Sequence, residues 1–337
     1  MTSTLKTIDD IISRCFSAPL GELESLSEVA FDASRRQFNN KIFFYAPGMV
    51  HYETEFHRAA DKYRFPSISI TGEGCALNCE HCNGQLLTTM HAATTPDALW
   101  NFALEIHRHE GTGCLISGGS TPSGNTPLIP FIPIIKRMKE ELDLDIVVHT
   151  GLVLPEIAEA LGTCGIDGAM LDIIGSNSTL REIYHLNLSI EVFDMSMQHL
   201  QDYNIPFIPH IIAGLHHGRL LGEDRAIKMI AKYNPHSVVV VAFMPLENTP
   251  MSDVTPASPS DIMRVILATR FAIPDRPLVL GCARPLGEHR RELDQLAIDV
   301  GVNGIAYPTE EGYQYANDRG LSIQYTDQCC SLIYREF

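Results

Sequence analysis

The chain has 337 residues, of which 45% are hydrophobic, so it can bury the core of one large domain or two ordinary ones. Its formal net charge of −16 and its lack of a Lys/Arg cluster exclude an ordinary nucleic-acid-binding face, which must be basic to neutralise phosphates. No apolar run reaches the roughly 18 residues of a membrane span, and the first residues, with Asp9 and Asp10, lack the order of a signal peptide. We therefore expect a cytoplasmic protein that binds neither nucleic acid nor membrane.

The first 66 residues are predicted to form a helical N-terminal extension. From residue 67 onward, short apolar runs alternate with amphipathic helical stretches, as in repeated βα units. The runs are apolar throughout, which is typical of parallel strands covered on both faces. The predicted strands are SISIT (67–71), GCLISGG (113–119), DIVVHTG (145–151), GAMLDII (168–174), PFIPHIIAG (206–214), SVVVVAFMP (237–245), PLVLGCARP (277–285) and GIAYP (304–308).

Several helix ends are also visible in the sequence. Thr95, Ser189 and Ser258 are predicted N-caps, two of them followed by proline in the first turn. Gly301 and Gly320 stand where helix C-caps belong.

Eight βα units in about 250 residues have the size of a (β/α)8 barrel. We therefore predict an α/β fold with a TIM-type barrel over 67–320. The helical extension covers 1–66, and a short C-terminal tail over 321–337 is expected to close the barrel with its cysteine pair. A doubly wound sheet is the alternative, but it needs a glycine-rich phosphate loop after the first strand, and a cysteine loop stands there.

This loop, ITGEGCALNCEHCNGQLL, places Cys75, Cys79 and Cys82 in the pattern C-x3-C-x2-C. Three thiolates so close together can hold three corners of a cubane, and with no fourth cysteine nearby one iron stays open for chemistry. The tight backbone that such a loop needs is provided by Gly72, Gly74, Asn78 and Gly84.

Two other interpretations of the loop are weaker. A structural zinc site needs four N/S ligands in two pairs, and His81 is the one extra ligand that the loop offers. A thiol redox motif matches Cys79-Glu80-His81-Cys82, but it explains neither the third cysteine nor the barrel.

The cysteine pattern after the first barrel strand resembles the radical S-adenosylmethionine (SAM) superfamily. The resemblance implies that Cys75, Cys79 and Cys82 hold a [4Fe–4S] cluster whose open iron binds the methionyl group of SAM. Reductive cleavage then gives a 5′-deoxyadenosyl radical that removes a hydrogen atom from substrate. His81 occupies the slot that an aromatic residue usually fills, and we assign it to cofactor binding.

Two further segments match the family. Ser117-Gly118-Gly119 ends the second strand, where backbone carbonyls are expected to meet the SAM amino group, although Ser120 replaces the usual glutamate. The run PHIIAGL (209–215) resembles the strand that contacts adenine.

Polar residues at the C-terminal ends of barrel strands are candidates for the active site. Of these, we assign His149, Asp172 and His210 to SAM binding, with a structural role as an equal alternative because a buried polar group must be paired wherever it lies. The other candidates are His216, Arg284 and Tyr307.

Nine cysteines in a cytoplasmic chain are expected to be ligands, reactive thiols or core residues rather than disulfides. Cys282 ends the seventh strand, and Cys329 and Cys330 form a vicinal pair in the tail. If the tail folds over the barrel mouth, these three can ligate a second iron–sulfur cluster. The default for the others, Cys15, Cys114 and Cys164, is the core.

Over about residues 43–337 the sequence is similar to the biotin synthase-like group, and most similar to the two-protein lipoyl synthases. The segments that carry this resemblance are FYAPGMVHYE, FPSISITGEGCALNCEHCNGQLL, HIIAGLHHG, GCARPLGEHRRELDQLAIDVGVNGIAYP and the late CC. It implies insertion of sulfur into an octanoyl-lysine on a lipoyl carrier protein, with a second related radical SAM protein and a reductant such as ferredoxin or flavodoxin as partners.

Two alternatives stay open. One is another biotin synthase-like reaction on a small molecule, such as cofactor maturation or methylation. The other is a non-catalytic iron–sulfur scaffold, which needs neither an open iron nor a barrel.

Overall fold

The structure, a computed structural model, describes residues 7–59 and 61–337. Its centre is a parallel sheet of eleven strands curled into a half-barrel, in the order β11-β1-β10-β9-β8-β7-β6-β5-β4-β2-β3. The strands are β1 (Lys41–Tyr45), β2 (Ser67–Ser69), β3 (His91–Ala92), β4 (Gly113–Ser117), β5 (Asp145–His149), β6 (Gly168–Asp172), β7 (Phe207–Ala213), β8 (Val238–Ala242), β9 (Leu278–Leu280), β10 (Gly304–Ala306) and β11 (Ser322–Thr326).

Helices cover the outer face of the sheet. They are α1 (Ile8–Ser17), α2 (Leu20–Phe38), α3 (Pro96–Arg108), α4 (Ile132–Leu142), α5 (Pro155–Gly162), α6 (Asn177–Glu182), α7 (Glu191–Asp202), α8 (Glu223–Ile230), α9 (Pro259–Ala272), α10 (Glu288–Val300) and α11 (Glu310–Asp318). None of the helices in the described ranges is both long and apolar enough to cross a membrane.

The predicted fold class is confirmed, and all eight predicted strands are present as β2 and β4 to β10. Three strands were not predicted. Of these, β1 lies inside the segment that we expected to be helical and pairs with both β10 and β11. The division into extension, barrel and tail stays a prediction.

The predicted helix ends are mostly confirmed. The side chains of Thr95 and Ser258 accept hydrogen bonds from the backbone of the first turns of α3 and α9. Gly301 is the left-handed C-cap of α10, and Gly320 has a φ of 72° directly after the cap of α11. The Ser189 cap is wrong: α7 begins after Ile190, without a side-chain cap.

The C-terminal tail enters the barrel at the N-terminal edge of the sheet, opposite the cysteine loop. After β11 it forms a 3-10 helix, Cys330–Glu336, whose first residues are buried among the inward-facing side chains of the strands. Tyr334 donates to the Asp167 carbonyl (2.7 Å), just before β6, and Ser237, just before β8, donates to the Ser331 carbonyl (3.3 Å). One of our hypotheses required the tail to fold over the barrel mouth. The tail lies instead at the opposite end of the barrel.

Candidate active site

The cysteine loop follows β2 and has the tight backbone that its glycines and asparagine predicted. Gly72, Asn78 and Gly84 have φ values of 60°, 45° and 75°, in the left-handed region that these residue types tolerate. Gly74 has no positive φ, so its backbone does not require glycine.

The loop brings the predicted thiols together. Ligand atoms of Cys79, His81 and Cys82 lie within 4.8 Å of one another, and Cys75 packs against the same small cluster. Each thiolate of a cubane binds a different iron, so Cys75 does not need the spacing of a single-ion ligand. A hydrogen bond from Cys79 lowers the pKa of Cys82 to about 4, with His81 contributing, and thiolate is the form that binds metal.

The end of β4 supports the loop from one side. A Cβ on Gly119 would lie 2.0 Å from the Gly74 carbonyl oxygen and 2.6 Å from the Cys75 Cα, so only glycine fits. The Gly119 N–H donates to Thr71 Oγ1 (2.7 Å), and the Ala76 N–H donates to the carbonyl of Ser120 (2.9 Å). The residue that replaces the family glutamate thus holds the loop through its backbone.

The neighbouring Ser117 and Gly118 belong to the same support. Ser117 is buried and faces Ser69 in the β2–β4 register, and a Cβ on Gly118 would lie 3.1 Å from Ile70. Contact between Ser117-Gly118-Gly119 and SAM stays a prediction.

A segment after α6 supports the loop from the other side. The Glu80 N–H donates to the Ile183 carbonyl (2.9 Å), and the Glu80 carboxylate pairs with His185 (3.0 Å). The ring of Tyr184 lies 5.3 Å from the ring of His81. Sequence reasoning missed this segment, because nothing local in 183–186 signals a contact 100 residues away.

The three polar residues assigned to SAM binding lie on adjacent strands, β5, β6 and β7. His149 Nε2 is 3.7 Å from Asp172 Oδ1, and the His149 and His210 rings are 6.2 Å apart. Burial lowers the pKa of His210 to about 4, so its imidazole is neutral at pH 7. Burial alone would raise the pKa of Asp172. The combined effect of His149, His210 and His81 in the opposite direction is larger, so the pKa is lowered overall and Asp172 is a carboxylate. Burial lowers and Asp172 raises the pKa of His149, with a net upward shift.

Two polar atoms at this site lack a partner among the described residues. They are His81 Nδ1 and the Tyr184 hydroxyl, both buried beside the cysteines. Burial, with Asp172 and the cysteines beside it, raises the pKa of Tyr184 well above its usual value, so its hydroxyl remains a donor. Three thiols, unpaired polar atoms and a close glycine contact fit an iron–sulfur cluster with a polar ligand.

Arg284 is not a site residue, contrary to our expectation. It is fully buried and bonds Asp294 Oδ1 through Nε and Nη2 (3.2 and 2.9 Å). Its remaining donors reach the carbonyls of Gly281, Ala306 and Tyr307. With every donor engaged, it cannot bind substrate or metal.

The other two candidates at the strand ends also have internal partners. His216 Nδ1 lies 3.2 Å from Thr179 Oγ1, and the Tyr307 hydroxyl donates to the Pro47 carbonyl (2.8 Å). Neither arrangement indicates a catalytic role.

The second group of thiols is less compact. Cys282 is exposed in the loop after β9, whereas Cys329 and Cys330 are buried inside the barrel. A hydrogen bond from Cys330 lowers the pKa of Cys329 to about 7. Within the described part of the chain, the three sulfurs do not form a group at single-ion spacing. The cysteines assigned to the core are buried as predicted: Cys15, Cys114 and Cys164.

Glu223, at the start of α8, is a buried acid that sequence reasoning overlooked. Its Oε1 accepts from the Gly214 N–H (2.8 Å), and its Oε2 has no partner among the described residues. Burial raises its pKa to about 7. It lines a small cavity with His216 at the ends of β6 and β7.

Comparison with known proteins supports the assignment of the cysteine loop as an iron–sulfur site. The family model of the radical SAM superfamily matches residues 69–219. Biotin synthase from Rhodopirellula baltica is 23% identical over 271 residues, 76% of this chain and 73% of that protein. Biotin synthase from Geobacillus kaustophilus is 22% identical over 269 residues, 74% and 78% of the two chains.

Solved structures share the fold. Methylornithine synthase superposes with a TM-score of 0.62 at 16% identity, over 98% of this chain and 91% of that one. The FeFe-hydrogenase maturase HydG from Carboxydothermus hydrogenoformans gives 0.67 at 15% identity, over 94% and 76%. Together with the three-thiol loop after β2, the match over residues 69–219 places a radical SAM region in this chain; that superfamily uses a [4Fe–4S] cluster and SAM, and biotin synthases are among the homologues of the chain at low identity.

Proposed function

We propose that this enzyme inserts sulfur, as one component of a two-protein lipoyl synthase acting on the octanoyl-lysine of a lipoyl carrier protein. The observation that carries the proposal is the presence of two groups of thiols in one barrel. Three cysteines lie in the loop after β2; of the other three, Cys329 and Cys330 are buried inside the barrel and Cys282 is exposed after β9. A radical site and a sulfur source are the two components that sulfur insertion at an unactivated carbon needs. The sequence resemblance to the two-protein lipoyl synthases supports the choice of substrate.

Cys75, Cys79 and Cys82 are the ligands of the radical-forming cluster in this proposal. Bound there, the cluster supplies the electron that cleaves SAM. The chain's own residues bind and orient SAM: Asp172 offers a carboxylate, His210 a neutral imidazole, and the Ser117-Gly118-Gly119 turn its backbone carbonyls. His149, beside Asp172, keeps that carboxylate ionised.

Cys282, Cys329 and Cys330 are the proposed ligands of a second iron–sulfur cluster, the sulfur source. Two of these thiols are protected from solvent, and the lowered pKa of Cys329 favours thiolate at neutral pH. Iron and sulfide analysis of a variant lacking the loop cysteines tests this site, and recovery of metal-free protein alone would leave the tail thiols structural.

The octanoyl chain of the proposed substrate can approach the active site along exposed apolar side chains. Six exposed aliphatic side chains lie in connections that follow strands: Val50, Leu154, Leu221 and Leu286 in loops, Leu86 in a short 3-10 helix and Leu188 between α6 and α7. An octanoyl chain can bury against such side chains while its carrier stays outside.

The radical assignment is tested by SAM cleavage in reduced protein. Cys79→Ala should abolish formation of 5′-deoxyadenosine, because it removes a cluster ligand. Cys164→Ala is the matched control, since Cys164 is equally buried but lies in the turn after α5. Full cleavage by Cys79→Ala would overturn the assignment, and no cleavage by the wild-type protein would favour a scaffold.

The substrate is tested with an octanoylated carrier peptide, SAM, a low-potential reductant such as ferredoxin or flavodoxin, and the related radical SAM protein. Mass spectrometry should show one added sulfur with this protein and a second when its relative is supplied. Unchanged peptide alongside normal SAM cleavage would reject the lipoyl function and favour a small-molecule substrate.

A further inference from the structure

The connection between β1 and β2, residues 46–66, encloses a cavity of about 470 Å³. All of its lining residues belong to this one connection, at positions 48–52, 58–59 and 61–62. The volume lies within the usual range of ligand pockets, about 300–1,000 Å³. None of the residues assigned above to the two cysteine groups or to SAM binding lines it, so the cavity is a separate feature.

The two arms of this connection hold each other in place. They meet at Gly48, where a Cβ would lie 2.4 Å from the carbonyl oxygen of Asp61. Further along, the Ala59 N–H donates to the Tyr52 carbonyl (2.8 Å). Because the contacts join the first arm to the second, the cavity between them is formed before any ligand binds.

The connection is anchored at the rim of the barrel mouth. The Tyr52 ring packs against Tyr307, which follows β10, at 5.6 Å between ring centroids, and the Tyr52 hydroxyl donates to the Pro308 carbonyl (2.7 Å). The Phe56 ring stacks on Tyr313 of α11 (3.9 Å). Substrates enter an α/β barrel from the C-terminal ends of its strands, and β1 and β10 end here. The cavity therefore lies beside the entrance.

Basic side chains predominate on the cavity wall. Arg58, Lys62 and His51 line it, and Asp61 is the one acid among the described lining residues. One oxygen of that acid, Oδ1, already accepts from the Tyr63 N–H (2.9 Å). Lys62 lies over the Tyr63 ring, with its ammonium 5.1 Å from the ring centroid. A group of cations at the entrance contrasts with a chain whose net charge is −16.

The ion pair that Arg58 forms is weak. Its Nε lies 3.9 Å from Glu53 Oε2, and the two side chains are 75% and 54% exposed. A pair of this length in solvent contributes little, and it does not use the two-pronged geometry in which a guanidinium binds a carboxylate best. A carboxylate from a partner can therefore replace Glu53 at little cost.

We infer that this cavity binds acidic side chains that flank the octanoyl-lysine of the carrier protein. The inference rests on the proposed function and assigns the surface on which the carrier docks. Arg58 and Lys62 attract and orient the carrier while its acyl arm enters the barrel beside them. Charges at the rim of an interface affect association and register more than chemistry, so SAM cleavage does not depend on them.

The test compares two synthetic octanoyl-lysine peptides, with glutamates flanking the lysine in one and glutamines in the other. Their binding to the reconstituted full-length protein with SAM is measured by calorimetry. The wild-type protein should bind the glutamate peptide about fivefold more tightly at low salt, as two exposed ion pairs allow. In about 1 M NaCl this preference should be lost, because salt screens exposed charges.

The double variant Arg58→Glu/Lys62→Glu should bind the glutamine peptide more tightly than the glutamate peptide. The matched control, Arg36→Glu/Lys136→Glu, changes the charge equally at exposed positions on α2 and α4 and should keep the wild-type preference. Both variants should form 5′-deoxyadenosine at the wild-type rate without peptide, which shows that they fold and bind SAM.

The outcomes separate this inference from the proposed function. Equal binding of the two peptides by the wild-type protein would overturn the inference, as would an unchanged preference in Arg58→Glu/Lys62→Glu. If the glutamate peptide is preferred through these residues but gains no sulfur, the docking surface stands and the lipoyl function fails. If both peptides gain sulfur equally and bind equally, only the docking surface fails. If neither peptide binds, both proposals fail.

Discussion

Gly119 is the residue at which the cysteine loop leaves no room for a methyl group. In Gly119→Ala the new Cβ would overlap the Gly74 carbonyl and Cys75, so the loop must move. We expect loss of iron from the radical cluster and a decrease in stability of about 1–3 kcal/mol, the usual cost of overpacking. Iron analysis and chemical unfolding measure both.

Gly74→Ala is the matched control for this substitution. Gly74 lies in the same loop without a positive φ, and a Cβ there would lie 3.3 Å from the Thr71 carbonyl oxygen, a much smaller overlap than the 2.0 Å contact at Gly119. Equal iron content in the two variants would contradict the steric argument.

Glu223 makes stability depend on pH. Its pKa is about 7 when folded and near the ordinary 4.5 when unfolded, so the folded state binds the proton more tightly. The stabilisation is complete below pH 4.5 and is lost as the pH rises through 7. It amounts to on the order of 3 kcal/mol.

Glu223→Gln keeps an acceptor for the Gly214 N–H but does not titrate. We expect its free energy of unfolding to vary less between pH 4.5 and 7, as measured by urea unfolding at several pH values. His216 and Asp224 lie nearby and are present in both proteins, so the difference between the two pH profiles isolates Glu223. Parallel pH profiles would contradict the shift.

For single residues, prediction from the sequence succeeded where the interacting residues are close together in the sequence. The spacing of Cys79 and Cys82 and the left-handed Asn78 belong to one loop, so the sequence contains all of the information. Arg284 was misassigned because the carbonyls that it binds come from two strands. Tyr184 was missed for the same reason, since its place beside the loop is a tertiary contact.

At the scale of elements, strands in repeated βα units were predictable because periodic apolar runs and helix caps reinforce one another. The β1 strand was missed, although Ile42 to Tyr45 are all buried. It follows two helices and is not flanked by the βα alternation, so the preceding helical pattern was extended through it. The β11 strand has an exposed and half-buried pattern and carries little strand signal.

The tail is held by charges at its end, which gives a prediction for this element. Arg335→Gln removes the ion pairs to Asp145 and Asp167, so the 3-10 helix should detach more often. We expect faster alkylation of Cys329 and Cys330 in metal-free protein, located by mass spectrometry, and a weaker dependence of that rate on salt.

Arg58→Gln is the control for the tail variant, because its pair with Glu53 is exposed and 3.9 Å long. It should leave the alkylation rate unchanged. Equal rates in all three proteins would show that apolar packing alone holds the tail.

For the whole molecule, the buried pair of Arg284 and Asp294 joins the ends of β9 and β10 to α10, and Asp294 Oδ2 also accepts from Thr309 at the start of α11. Asp294→Asn leaves a buried guanidinium without a counter-charge. We expect a loss of about 3–5 kcal/mol in the free energy of unfolding, measured by denaturant.

The exposed pair of Arg137 and Glu141 on α4 is the natural comparison. Glu141→Gln should have no measurable effect, because solvent screens both charges. If the two variants unfold alike, the buried pair does not join these elements energetically.

The support of the cysteine loop by β4 also sets an order of assembly. Thr71, Cys75 and Gly119 lie within 49 consecutive residues, whereas Cys329 and Cys330 reach the interior of the barrel from the far end of the chain. Contacts between residues that are close in the sequence form before contacts between residues that are far apart in it. A chain leaving the ribosome also presents its N-terminal half first. Pulse-labelled hydrogen exchange during refolding should therefore protect the Gly119 amide before that of Leu332. The loop thiols can therefore receive their iron on a partly folded chain, before Cys329 and Cys330 are buried.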